Sequence, residues 1–310
     1  MLDIHKLFEQ FIKHARMEGK SLITVKNYRA NFQLLLAFKP DLTVKDLNER
    51  TMGDFFVYLD ERERQVGKKR IVRKLKKSSI QTIIGKLKVF FEWLLERNYI
   101  TTNPFVNVSS PSVSYTDIKA FNQKEIDKIF LVLNRDIVWE NELIRKRNIA
   151  LGMFLLYTGV RKNELLHVKS KDLDLEKATL EVQGETSKSG TNRTVIFSKD
   201  LIPYINDYQK ERADYQCEYL WVSSMRDARF TEHGLKHQVN KLKVYTELHF
   251  YIHRFRHTFA VNLYKQTRDI LLVQSMLGHS TLRMTLSYLR SLKHDSYIQQ
   301  LIRLSGKEYV

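Results

Sequence analysis

A single cysteine, Cys217, stands in a chain of 310 residues. It excludes an intramolecular disulfide and any cysteine-based metal cluster, and it fits a reducing compartment. Glycine is sparse too, at 11 residues, and none of it gathers into a phosphate-cradling loop or a Gly-x-Ser-x-Gly elbow. His and Cys nowhere adopt metal-ligand spacing, so neither a metal nor another cofactor is expected and the chemistry must come from side chains alone. Long apolar runs are missing as well. The longest, IALGMFLLY at 149–157, is about half of what a membrane-spanning helix needs and reads as a buried core helix. The N-terminal stretch MLDIHKLFEQFIKH sets Ile4, Leu7, Phe8, Phe11 and Ile12 on one helical face broken by charge, an amphipathic folded helix rather than an export signal. A cytoplasmic protein with no membrane association is expected.

Negative charge is in short supply: 35 Asp and Glu face 52 Lys and Arg, a formal charge of +17. Such an excess is the electrostatic footprint of a protein that sits on a polyphosphate backbone, although charge alone does not separate DNA from RNA or an anionic membrane.

What is present divides in two. Residues 1–108 read as helices only, at 2–18, 22–38, 50–65 and 77–98, with short polar connections punctuated by Pro40 and Gly67. The basic excess concentrates in RQVGKKRIVRKLKK, where Arg64, Lys68, Lys69, Arg70, Arg73, Lys74, Lys76 and Lys77 occur with no acidic residue between them. Such a run reads either as a solvated helix face or, better, as a surface that tracks phosphates and positions the protein without choosing sequence. A polar, Pro111-containing stretch at 109–120 has the character of a linker. Asn122 with Glu125 then resembles a helix cap with its capping-box partner, opening a second domain over 121–310. This domain is also mainly helical. DLDLEKATLEVQ and RTVIF, between about 172 and 198, alternate and are rich in β-branched residues, which predicts a small antiparallel sheet with a turn near Ser189 to Asn192.

Three short motifs carry candidate chemistry. TGVRKNELL, 158–166, delivers Arg161 from a helix-to-helix turn, with Glu164 three residues on. HRFRHTFA, 253–260, places His253, Arg256 and His257 on one face within about one helical turn, a donor-rich face suited to an anion. LGHSTLRMTLSYLR, 277–290, supplies His279 and, nine residues later, Tyr288. Singly, each has an ordinary alternative: Arg161 as a surface partner of Glu164, His253 as a satisfied core histidine, Tyr288 as packing on an amphipathic helix.

Taken together, these residues resemble the tyrosine recombinase (phage integrase) family, marked by a T-G-x-R-x-x-E-L turn, an H-x-x-R-H helix, and a G-H box followed by a tyrosine. The match runs over about residues 122–290, and the helical N-terminal part resembles the family's SAM-like core-binding domain. The resemblance implies a site-specific recombinase that breaks and rejoins DNA through a 3′-phosphotyrosyl intermediate, with no ATP or cofactor. Tyr288 matches the nucleophile, His253 the base, and Arg161 and Arg256 the two phosphate-gripping arginines. His279 matches a third phosphate-binding position. The family's leaving-group acid is a lysine on the β-hairpin. Many relatives carry it in a G-K-G sequence; here the corresponding Q-G-E has Glu185, so Lys188, the only lysine of the hairpin, takes the role, with Arg193 a distant runner-up. His257 is left as packing and Glu164 as an orienting carboxylate.

The tail beyond Tyr288 carries Leu289, Leu292, Ile298, Leu301, Ile302 and Leu304, an apolar set that either folds back on its own domain or, as in the family, passes to a neighbouring protomer. The expected assembly is a homotetramer on double-stranded DNA with paired core sites. Because the chain starts directly with the core-binding helices, a simple Xer-like enzyme is expected. The alternatives are a type IB topoisomerase, which shares the chemistry without strand exchange, and a catalytically silent DNA-binding protein of the same fold.

Overall fold

The computed structural model describes residues 3–66, 71–106, 120–187, 190–248, 250–289 and 292. The chain divides into two compact units, Met1–Tyr115 and Thr116–Val310.

In the first unit, α1 (Ile4–Met17) buries Ile4, Leu7, Phe8, Phe11, Ile12 and Ala15, the stripe expected from their spacing. Asp3 caps its start and Gly19 turns the chain at φ 74° after its end. Ser21 caps α2 (Leu22–Phe38) and Asn48 caps α3 (Glu49–Glu61), each accepting a backbone N–H three residues on. The long α4 (Lys77–Glu96) closes the unit around an aromatic cluster in which Phe8 stacks on Phe32 at 3.9 Å and both meet the edge of Phe90.

One expectation fails here. The helix predicted to run to residue 65 stops at Glu61, and the basic run opens as an antiparallel ribbon, β1 (Glu63–Val66) paired with β2 (Ile71–Lys74). A continuous helix would stack like charges at i and i+4, as in Arg70 with Lys74 and Arg73 with Lys77, with no acid to relieve them. In an extended strand the neighbours Arg73 and Lys74 fall on opposite faces, and Val66, Ile71 and Val72 are residue types that favour the extended backbone.

In the second unit the Asn122–Glu125 capping box forms as expected at the start of α5 (Gln123–Leu131). The apolar run becomes α6 (Glu142–Thr158), buried on most sides. Its Phe154 meets the edge of Trp221 at 5.3 Å, and Trp221 stacks on Tyr208 of α8 (Ile202–Glu211), whose hydroxyl accepts the Val222 N–H. Between α7 (Lys162–His167) and α8 lies the predicted sheet, three antiparallel strands in the order β3 (Leu173–Asp174), β4 (Thr179–Val182), β5 (Arg193–Ile196). After α9 (Glu232–Thr246), α10 (Ile252–Thr267) packs against α6 so closely that a Cβ on Gly159, at φ 60°, would meet the Phe259 ring at 2.3 Å. Two short helices, α11 (Ile270–Leu277) and α12 (Leu282–Leu289), complete the described part. No helix among the described residues is long and apolar enough to cross a membrane.

Candidate active site

The end of α6 sets the position of the first candidate residue. Gly159 takes the left-handed conformation that terminates the helix, and Arg161 follows as the N-cap of α7. Glu164, 2% exposed, accepts the Arg161 backbone N–H at 2.8 Å and Arg161 Nη1 at 2.9 Å. The same carboxylate takes Arg193 from β5 as a fork, Nη1 to Oε1 at 3.0 Å and Nη2 to Oε2 at 2.7 Å. Burial by itself would raise the Glu164 pKa; the Arg193 and Arg161 contacts outweigh it and hold the carboxyl at about 2. Arg161 therefore pairs with Glu164, the ordinary partner that its sequence spacing offered, and points toward the end of α11 as well.

The second anchor is the C-terminus of α11. A helix leaves its last carbonyls without intrahelical partners and presents a partial negative charge there. Three successive carbonyls each take a different arginine: Met276 O accepts from Arg193 Nε at 3.0 Å, Leu277 O from Arg256 Nη2 at 2.6 Å, and Gly278 O from Arg161 Nη2 at 3.1 Å. One buried carboxylate and one helix end thus gather three guanidinium groups that would otherwise repel each other.

Arg256 is fully buried; it also donates to Gly159 O at 2.8 Å, and its Nε has no partner among the described residues. Burial, with Arg161 next, draws its pKa down to about 10, still charged at neutral pH. His279 follows Gly278 directly. Its Nε2 lies 3.1 Å from Arg256 Nη2 and its Nδ1 lies 3.0 Å from Thr285 Oγ1, so the neutral ring accepts from the arginine and donates to the threonine. Burial, reinforced by Arg256, Arg161 and Arg193, pushes its pKa down to about 3.

Tyr288 sits on α12, held in place by buried Leu286 and Leu289. Its hydroxyl is 2.6 Å from His253 Nε2, and its ring stacks on His257 at 4.1 Å between centroids. The shared face of His253, Arg256 and His257 therefore meets a tyrosine ring in the free chain. His257 is buried, and its packing role is realised as a platform for that ring. His253 keeps an edge open to solvent, yet desolvation is the largest influence on its ring, and the Arg256 and Arg161 charges add to it. Its pKa falls to about 4, leaving a neutral imidazole able to accept a proton.

Arg161, His253, Arg256, His279 and Tyr288 thus come together. Lys188 lies outside the described residues, as do Lys68, Lys69 and Arg70 and most of the tail. Of Arg64 only the backbone is described, whereas Arg73, Lys74, Lys76 and Lys77 are exposed. Arg193, the runner-up for the leaving-group acid, donates to the protein from each of its three nitrogens. The tie of Arg193 to Glu164 has no local signature in the sequence, because it joins elements 29 residues apart in the chain. Among the described residues there is no cluster of His, Cys, Asp or Glu suited to a metal ion.

A family model described as the phage integrase family matches residues 119–295, and one described as the phage integrase SAM-like domain matches residues 3–110. The tyrosine recombinase XerC of Oceanobacillus iheyensis is 26% identical over 321 residues, covering 99% of this chain and all of that protein. XerC of Bacillus pumilus is 29% identical over 302 residues, covering 93% and 92%. Among solved structures, XerH site-specific recombinase in a post-cleavage complex with palindromic difH substrate aligns with TM-score 0.70 at 20% identity, over 96% of this chain and 83% of that one. A lambda integrase dimer bound to a COC′ core site aligns with TM-score 0.70 at 18% identity, over 93% and 77%. At these identities the structures show a shared fold.

Proposed function

The chain belongs to the phage integrase family and is a site-specific tyrosine recombinase, an enzyme that cleaves and rejoins DNA, and we propose that Tyr288 carries the reaction. The observation that supports this most directly is the 2.6 Å contact between the Tyr288 hydroxyl and the Nε2 of a neutral His253, beside two clustered arginines. A free phenol has a pKa near 10 and is a poor nucleophile until a base takes its proton. In the proposed step His253 Nε2 accepts that proton as the Tyr288 oxygen bonds to phosphorus. The bond from phosphorus to the 5′-oxygen breaks, and the 5′-hydroxyl leaves with a proton. A 3′-phosphotyrosyl link remains, so the phosphodiester energy is kept for rejoining.

Arg161 and Arg256 meet the charge that builds on the non-bridging oxygens, as fixed donors that need no reorganisation. His279 accepts from Arg256 in the free chain. Its hydrogen bond to phosphate requires that arginine to turn toward the substrate and the ring to carry its proton on Nε2. Lys188 remains the proposed proton donor to the leaving 5′-oxygen, on sequence alone.

The first unit is assigned to gripping duplex DNA, with the basic ribbon and the start of α4 along the phosphates. Arg73, Lys74, Lys76 and Lys77 are exposed there, open to an anionic partner. We further assign a cytoplasmic location and a head-to-tail homotetramer on paired core sites, the apolar tail passing between protomers.

Covalent trapping tests this reading. Cells expressing the protein or its Tyr288→Phe variant are denatured, protein-linked DNA is isolated, and the 3′ ends are sequenced. Ends clustered at a short inverted repeat, and absent with the variant, are expected and would supply the site. Scattered but Tyr288-dependent ends would point to a topoisomerase, and no linked DNA from either form would defeat the reading.

A further inference from the structure

We propose that Arg193 is a positioning residue for strand cleavage, the clamp that fixes the segment bearing His279 against the turn bearing Arg161. The inference rests on the recombinase reading and adds a residue that never touches the substrate.

Arg193 joins three separate elements through a single planar group. It projects from β5, forks onto Glu164 in α7, and donates Nε to the last turn of α11. Its side chain is 9% exposed, and Glu164's is 1% exposed. The far side of the contact is shaped to match. Gly278 takes φ 61°, and a Cβ there would lie 2.8 Å from Arg193 Cδ and 3.0 Å from its Nε. The glycine lets the carbonyl-bearing turn settle directly on the guanidinium.

The consequence reaches both reactive faces. Met276 O, held by Arg193, is two residues before Gly278 O, which receives Arg161, and three before His279, which contacts Arg256. Glu164, held by Arg193, also fixes Arg161 through its backbone and its guanidinium. Loosening Arg193 therefore shifts both arginines and His279 together, while removing no group that meets phosphate. A misplacement of about 1 Å in such a set costs on the order of 100-fold in rate.

The decisive variant is Arg193→Lys. It keeps the charge and the buried ion pair, but one ammonium cannot satisfy two carboxylate oxygens and a carbonyl on another element in one plane. On a nicked duplex carrying the site recovered by trapping, single-turnover cleavage is expected to fall about 100-fold, with the affinity for that duplex within threefold of wild type. In the free full-length variant, the imidazole nitrogen resonances of His279 are expected to shift and broaden. Cleavage within threefold of wild type, or a loss matched by an equal loss of binding, would overturn the inference. So would unshifted His279 resonances. The imidazole measurement needs no DNA. A wild-type chain that cleaves nothing would refute the recombinase reading and leave Arg193 to be judged on the His279 resonances.

Discussion

Glu164→Gln offers a perturbation whose size can be worked out by two independent routes. The carboxylate is 2% exposed and neutralises a pocket into which Arg161 and Arg193 point directly and Arg256 lies close by. By linkage, a carboxyl lowered from 4.5 in the unfolded chain to about 2 in the fold contributes about 3 kcal/mol at neutral pH. Removing one partner of a buried ion pair independently costs about 3–5 kcal/mol, because the remaining charges stay buried without their counterion. The agreement of the two routes gives an expected midpoint loss of roughly 10 °C for a unit of this size. The assay is urea denaturation of wild type and variant at pH 7 and at steps down through 4.5, with thermal melts alongside.

The pH dependence adds a sign. The folded pKa is depressed, so the stabilisation is complete above about 4.5 and fades as pH falls toward 2. The gap between wild type and variant should therefore be constant from pH 7 to about 5 and narrow below 4.5, by at most ~1.4 kcal/mol per pH unit. A gap under about 1 kcal/mol at pH 7, or one that widens on acidification, would refute the account of Glu164 as the counterion that gathers the arginines.

Two further outcomes are expected. Replacing Arg73, Lys74, Lys76 and Lys77 with alanine should weaken DNA binding with little change in site preference and flatten the plot of log K against log salt by ~0.9 for each phosphate no longer neutralised; an unchanged slope would remove the ribbon and the start of α4 from the interface. Histidine titration followed by NMR in the free protein should find His253 and His257 unprotonated down to about pH 4 and His279 down to about 3. These depressed values mean that the unfolded chain, with histidines near 6.5, takes up protons first, so stability should fall as pH drops below 6.5; a midpoint near 6.5 for the two buried rings, His257 and His279, would contradict their packing.

The amino-acid sequence by itself determined the helical periods, the caps and the spacing of the reactive groups. The stripe of α1, the Asn122–Glu125 box and the sheet between 172 and 198 are local patterns, and local patterns are fixed by backbone geometry and solvent exposure within a few residues. Tertiary structure decided what those groups touch. The helix expected to reach residue 65 stops at Glu61 and an antiparallel ribbon follows, because like charges at helical spacing have nothing to neutralise them. Arg193 stood in the sequence as a spare cation near a hairpin. Only the fold, by bringing Glu164 and the Met276 carbonyl to it across 29 and 83 residues, gave all three of its nitrogens a partner. The same holds for His257, whose place beside two catalytic candidates gave no hint that a tyrosine 31 positions onward would stack on its ring. Sequence spacing selects the chemistry available, whereas burial and long-range hydrogen bonds decide which donors remain free for a substrate.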